Sequence, residues 1–272
     1  MSSSHEITHI IFDFDGVIVD TEKTYSVAND AVLQTFGRSF NNTLKNGMMG
    51  RKKTEAVQWI LQQTGIADHV TVEQFNEIYD KQLMALLPNA PVLPGAVKLI
   101  EYFRRNNFPL AICTGSNTEE FELKSRNIQP LLKNFDFFVL AGDDVEVKAE
   151  VKAGKPAPDA YLVTMKRFPT PPKMAANVLV FEDSINGVRN AYLVTMKRFP
   201  TPPKMAANVL VFEDSINGVR SSLAAGCQTV FIPQDEFKTH DWEERIADIK
   251  PLVETLSSLE EFKPEKYGLP SF

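Results

Sequence analysis

A short apolar run near the start of the chain, Ile10-Ile11-Phe12, predicts a buried strand. From Asp20 to Phe36 the apolar positions Ala28, Val32, Leu33 and Phe36 recur at helical spacing. A second helical stretch covers Thr54–Gln63, with Ala56, Val57, Ile60 and Leu61 on one side, and a third covers Val72–Leu87, ending before Pro88. No convincing strand interrupts residues 20–90. Pro88, Pro91 and Pro94 then form a stiff stretch that reads as a hinge or boundary.

Beyond it the pattern changes. Ala96–Arg105 reads as a helix, Pro109–Cys113 as a buried strand ending in Thr114-Gly115-Ser116-Asn117, and Glu119–Arg126 as a helix. Phe137–Leu140 is a strand, Tyr161–Phe168 a helix, Val178–Phe181 a strand ending in Glu182-Asp183, and Thr229–Ile232 a further strand. Strands alternating with helices predict an α/β fold with a doubly wound parallel sheet. Residues 1–19 and 95–272 form its core, and residues 20–94 form a helical insert. Ligands of such sheets bind at the carboxyl ends of the strands, where the polar residues just named fall.

One segment occurs twice. Ala160–Arg189 recurs without a change as Ala191–Arg220. Solenoids need at least three units with atypical caps, so two identical copies read as a tandem duplication. The fold has room for one helix-loop-strand unit between Lys155 and Thr229. Switching between copies inside the loop Pro169–Asn177 preserves every local junction. The surplus then extends one loop, at a small entropic cost. On this expectation the second-copy strand Val209–Phe212 and the pair Glu213-Asp214 are functional. Val178–Phe181 and Tyr192–Phe199 become apolar surface without a partner, able to recruit a second chain by edge pairing.

Chemistry concentrates at the strand ends. Asp13-Phe14-Asp15-Gly16-Val17 places two carboxylates two residues apart at the end of a buried strand, and Gly16 offers a break. Desolvated like charges raise each other's pKa unless a cation or hydrogen bonds compensate, and a hard, oxygen-liganded divalent ion suits carboxylates. The plain alternative is an Asp-Gly turn with a solvated flank. Thr114-Gly115-Ser116 is a common turn, Lys155 in Gly154-Lys155-Pro156 a common surface lysine, and an acidic pair after a strand can cap the next helix. Together they suit phosphoryl transfer. One carboxylate attacks, a second moves the proton, and hydroxyl, backbone N–H and ammonium groups bind phosphoryl oxygens. In an extended segment residues i and i+2 point the same way, so Asp13 and Asp15 can face one substrate.

Bulk properties narrow the field. The 272 residues are 43% hydrophobic and 24% charged, as in ordinary globular proteins. A net charge of −6 gives no footprint for nucleic acid. Cys113 and Cys227 sit in apolar runs and read as buried thiols of a reducing, cytoplasmic compartment. His5, His9, His69 and His240 lack metal-ligand spacing and read as surface or capping residues. The start is polar, with no apolar signal region, and no apolar stretch approaches the ~20 residues of a membrane span.

In these motifs, and over nearly the whole chain apart from one duplicate copy, the sequence resembles a haloacid dehalogenase superfamily phosphatase with a helical cap inserted after the first motif. The resemblance implies Asp13 as nucleophile, Asp15 as general acid/base, and Thr114 (with Gly115 and Ser116) and Lys155 as phosphate binders. It implies Mg²⁺ held by Asp13, the Asp15 backbone carbonyl and the aspartate of the last acidic pair. That aspartate is Asp214 beside Glu213, or Asp183 beside Glu182 in the alternative copy. Met49–Lys53, Gly142–Val147, Gly154–Asp159 and Phe212–Val219 are similar to the branch acting on pseudouridine 5′-phosphate. The acidic-basic segment Lys148–Lys152 before Gly154 is longer than in that branch. In the cap, Gly50, Arg51, Lys52 and Lys53 suit recognition of a phosphorylated sugar or nucleotide, or form a solvated basic turn. Trp59 and Phe75 read as cap core. The implied partner is a small phosphomonoester. A phosphomutase on the same scaffold and an impaired, binding-only product of the duplication remain open.

Overall fold

In the computed structural model, the apolar run at the start of the chain forms β1 (His9–Phe12), all four residues buried. The structure describes residues 7–48, 51, 53–150, 159–173, 177–182, 210–214, 216–224, 228–233, 238 and 241–272. The chain divides into two units. One comprises Met1–Val19, Val92–Glu122 and Ile128–Phe272, the other Asp20–Pro91 with Leu123–Asn127.

In the first unit β1 pairs in parallel with β2 (Leu110–Thr114) and with β4 (Val178–Phe181), and β2 pairs with β3 (Phe137–Leu140), giving the order β3-β2-β1-β4. Continuous apolar runs suit strands covered on both faces of a parallel sheet. Cys113 lies inside that core at zero exposure. A second parallel sheet has the order β5-β6-β7, from Leu210–Glu213, Gln228–Phe231 and Glu254–Thr255. Helix α5 (Asp159–Arg167) packs on β2 and β3, and α6 (Ile216–Ala224) on β5 and β6.

The duplicated segment is arranged differently from the expectation. The first-copy strand is not surplus: Val178–Phe181 is paired residue for residue with His9–Phe12 and every side chain is buried. The second-copy strand β5 pairs instead with β6. A single strand at this place would offer one edge to β1 and the other to β6. Two identical strands divide those pairings. The apolar surface invoked for self-association is, for Val178–Phe181, covered. Tyr192–Phe199 lies outside the described residues, as do Cys227, His5 and His240. His9 is a further correction. It is buried, with Nε2 bonded to the Thr170 carbonyl at 2.8 Å and its ring on the edge of Phe168, because β1 begins one residue earlier than the apolar run suggested.

The second unit is helical. Its elements are α1 (Thr21–Gln34), α2 (Asn42–Met48), α3 (Lys53–Thr64) and α4 (Val72–Leu86). Asp20 caps α1 by accepting from the Lys23 N–H at 2.9 Å. Thr71 and Gln74 form a reciprocal capping box on α4. Each cap contributes about 1 kcal/mol. Val32, Leu33, Val57, Ile60, Leu61 and Phe75 meet in one core, with Trp59 packed against it. Phe75 and Trp59 therefore belong to the core of this helical unit. No helix among the described residues is long and apolar enough to cross a membrane.

Candidate active site

The carboxyl ends of β1 and β2 bring together most of the expected residues. Asp13 directly follows β1, is only 4% exposed, and its backbone N–H donates to the Phe181 carbonyl at 2.8 Å. Its Oδ1 accepts from the Phe14 N–H at 2.7 Å. The chain then turns at Gly16, whose φ of 72° is open to glycine at little cost. The Gly16 N–H bonds the Val19 carbonyl, and the N–H groups of Ile18 and Val19 bond that of Phe14. This loop holds Asp15 over the end of β2. Ser116 Oγ donates to Asp15 Oδ2 at 3.0 Å. The Thr114 hydroxyl reaches the same oxygen at 3.4 Å, long for such a bond. Ser116 is in turn fixed by its N–H on Thr114 Oγ1 at 3.2 Å. Asp15, Thr114 and Ser116 thus form one hydrogen-bonded group, with Gly115 exposed at its edge.

On the other side of β1 lies the first-copy acidic residue. Glu182 follows β4 immediately and is 1% exposed. Phe12 and Phe181 are register partners, so Asp13 and Glu182 leave adjacent strands at the same level. The fully buried Tyr161 of α5 donates its hydroxyl to Glu182 Oε2. Burial pushes the Tyr161 phenol well above its ordinary value, and the neighbouring carboxyl groups of Glu182 and Asp13 push it further. It therefore remains a proton donor. Tyr161 was legible only as an apolar position of a helix. The signal that could have found it is that a buried tyrosine hydroxyl requires a partner.

The second-copy pair is placed elsewhere. Glu213 ends β5 at 1% exposure, and Asp214 is half-buried. The Glu213 carboxylate fills the space where a Cβ on Gly218, in the first turn of α6, would otherwise stand. Only a glycine permits that approach. This pair stands on a strand that shares no ladder with β1.

Lys155, Asp183, Gly50 and Lys52 lie outside the described residues. Arg51 is exposed, donates from Nε to the Gly47 carbonyl at 2.7 Å, and lies over the Trp59 ring. Lys53 is exposed and pairs with Asp80 at 3.0 Å.

No group of three or more His, Cys, Asp or Glu side chains able to hold a metal occurs among the described residues. The donors nonetheless suit a hard cation. Asp13 and Glu182 present carboxylates that are 4% and 1% exposed at neighbouring strand ends, and oxygen-only donor sets select Mg²⁺-like ions.

A family profile for haloacid dehalogenase-like hydrolases matches residues 7–191. The chain is 34% identical over 266 residues to (DL)-glycerol-3-phosphatase 2 of Arabidopsis thaliana, covering 98% of this chain and 93% of that one. It is 30% identical over 271 residues to a Drosophila melanogaster protein named "Probable pseudouridine-5'-phosphatase", covering 98% and 96%. Among solved structures, a HAD family hydrolase from Deinococcus radiodurans R1 with bound phosphate and sodium matches with a TM-score of 0.64. That match covers 98% of this chain and 99% of the other at 19% identity, a likeness of fold.

Proposed function

The chain belongs to the haloacid dehalogenase-like hydrolases, and from that premise we propose a Mg²⁺-dependent phosphatase that hydrolyses a small sugar, polyol or nucleoside monophosphate through an aspartyl-phosphate at Asp13. The observation that carries this reading is the convergence of Asp13, Asp15, Thr114 and Ser116 at the carboxyl ends of two paired strands. Asp13 attacks phosphorus, the ester oxygen departs with a proton from Asp15, and the phosphoryl group becomes bonded to Asp13. Asp15, now a carboxylate, takes a proton from water as the water oxygen attacks phosphorus. Inorganic phosphate leaves and the Asp13 carboxylate is restored.

The hydroxyls of Ser116 and Thr114 each have one proton to give, to Asp15 as in this structure or to a phosphoryl oxygen once substrate is bound, and Lys155 adds an ammonium. The residues that would hold Mg²⁺ are Asp13, the Asp15 backbone carbonyl and an acid of the pair Glu182-Asp183. Strand pairing favours this pair over Glu213-Asp214. Bound there, the ion would neutralise charge on the transferring oxygens. The exposed cations Arg51 and Lys53 serve substrate selection in the cap, together with Gly50 and Lys52.

The two relatives name glycerol 3-phosphate and pseudouridine 5′-phosphate chemistry, and these head the substrate panel. The test is phosphate release from both, and from hexose phosphates, with Mg²⁺ and with chelator. Chelator-sensitive release supports the reading. Phosphoryl return to a sugar, dependent on a bisphosphate primer and without phosphate release, would make the protein a mutase. A folded protein inert on the whole panel would make it a binding-only product.

A further inference from the structure

Tyr161, like Ser116 and Thr114, turns a buried hydroxyl onto an acid, but its acid is Glu182 on the other side of β1. The residue belongs to an apolar cluster with Ile11, Cys113, Val139, Val178 and Val180, and its phenol reaches out of that cluster to Glu182. A carboxylate beneath such a core is costly to keep unless a donor fixes it. Here the donor comes from α5, which is anchored on β2 and β3. The acceptor, Glu182, leaves β4 beside Asp13. An apolar pair of the same volume would satisfy packing alone. The position of this pair next to Asp13 argues for a role in the chemistry.

We propose that Tyr161 is a positioning residue: its hydroxyl orients the Glu182 carboxylate beside Asp13, and the first copy of the repeat thereby builds the acidic wall of the site. This rests on the reading of that site as a metal-dependent phosphatase. The duplication supplies an internal control, because Tyr192 and Glu213 carry the same two residue types at the same spacing. Glu213 ends a strand paired to β6 instead of β1, so the second-copy acid does not leave a strand paired with that of Asp13.

The test uses the full chain and its variants Tyr161→Phe, Tyr192→Phe, Glu182→Gln and the double variant Tyr161→Phe/Glu182→Gln. Two quantities are read: Mg²⁺ affinity by calorimetry without substrate, and hydrolysis of p-nitrophenyl phosphate. Loss of a partner that orients a metal ligand weakens metal binding roughly 10–100-fold. Tyr161→Phe is expected at about the lower end of that range, with kcat reduced and KM held. Tyr192→Phe is expected to match the unaltered chain in both. In the Glu182→Gln background, Tyr161→Phe should add nothing, since residues acting through one another are not additive. Wild-type Mg²⁺ affinity in Tyr161→Phe, the same loss from Tyr192→Phe, or additive losses in the double variant overturn the proposal. The comparison of the double variant with Glu182→Gln decides it even if Tyr161→Phe alone fails to melt cooperatively. Asp13→Asn is measured alongside. Undiminished hydrolysis in that variant defeats the phosphatase reading itself, whereas an inactive Asp13→Asn with a silent Tyr161→Phe defeats only the role of the tyrosine.

Discussion

Phe181 and Phe212 are the same residue of the repeat in its two copies, and their rings stack at 4.5 Å between centroids with 20° between planes. Phe12 stacks on the other face of Phe181 at 4.4 Å. The three rings therefore run in sequence from β1 through β4 to β5. This ladder shows how a duplicated strand can be accommodated. The extra copy widens the core by one strand, and each copy keeps half of the pairing that a single strand would make. Each stacked pair contributes about 0.5–1.5 kcal/mol beyond simple burial.

If both copies are structural strands, truncating either should be costly. Leu179 and Leu210 are repeat equivalents, at 1% and 4% exposure. Leu179→Ala and Leu210→Ala should each lower unfolding free energy by about 2–5 kcal/mol. Denaturant titration measures both. A silent Leu179→Ala would restore the picture in which the first-copy strand lies in a surplus loop.

Removing residues 190–220 leaves one copy of the repeat. Its strand can then pair with both β1 and β6, and the variant should fold cooperatively and retain Mg²⁺-dependent phosphatase activity. Circular dichroism melting and phosphate release check this together. An unfolded product would mean that the division of pairing between two strands is obligatory.

Ser116 holds Asp15 through a hydrogen bond to a carboxylate, a kind worth about 1.5–3 kcal/mol. Ser116→Ala should therefore lower kcat by roughly 10–100-fold and lower the melting temperature by several degrees, with unfolding still cooperative. A kcat within about twofold of the parent would remove Ser116 from the machinery.

Arg167 donates to both oxygens of Asp144, at 2.6 and 2.9 Å, and holds that carboxyl below its ordinary value of 3.8. Folding thus depresses the pKa. The unfolded chain takes up the proton first, so this contribution is complete above the ordinary value and is lost as pH falls through the folded one. The stability difference between the parent and Arg167→Met should shrink as pH is taken from about 6 to about 3. Chemical unfolding at several pH values measures it, and a difference independent of pH contradicts the coupling.

Much of this was legible along the chain because apolar runs and helical periodicity are local signals. Phe137–Leu140 and Ala96–Arg105 have the limits that their patterns suggested. Asp13, Asp15, Thr114 and Ser116 were found because they end such runs. The short helix Asn42–Met48 escaped because it has few apolar residues to repeat, and Glu254–Thr255 because two residues make no pattern. The assignment of the two copies could not be read locally at all. Identical segments carry identical propensities, and only the long-range pairing of Val178–Phe181 with His9–Phe12 separates them.

The most direct test is phosphate release by Asp13→Asn, an almost isosteric change that removes the nucleophile's charge, measured with Mg²⁺ on the best substrate of the panel. The account requires turnover to fall by several orders of magnitude while the variant melts like the parent. Turnover at the parental rate would contradict it.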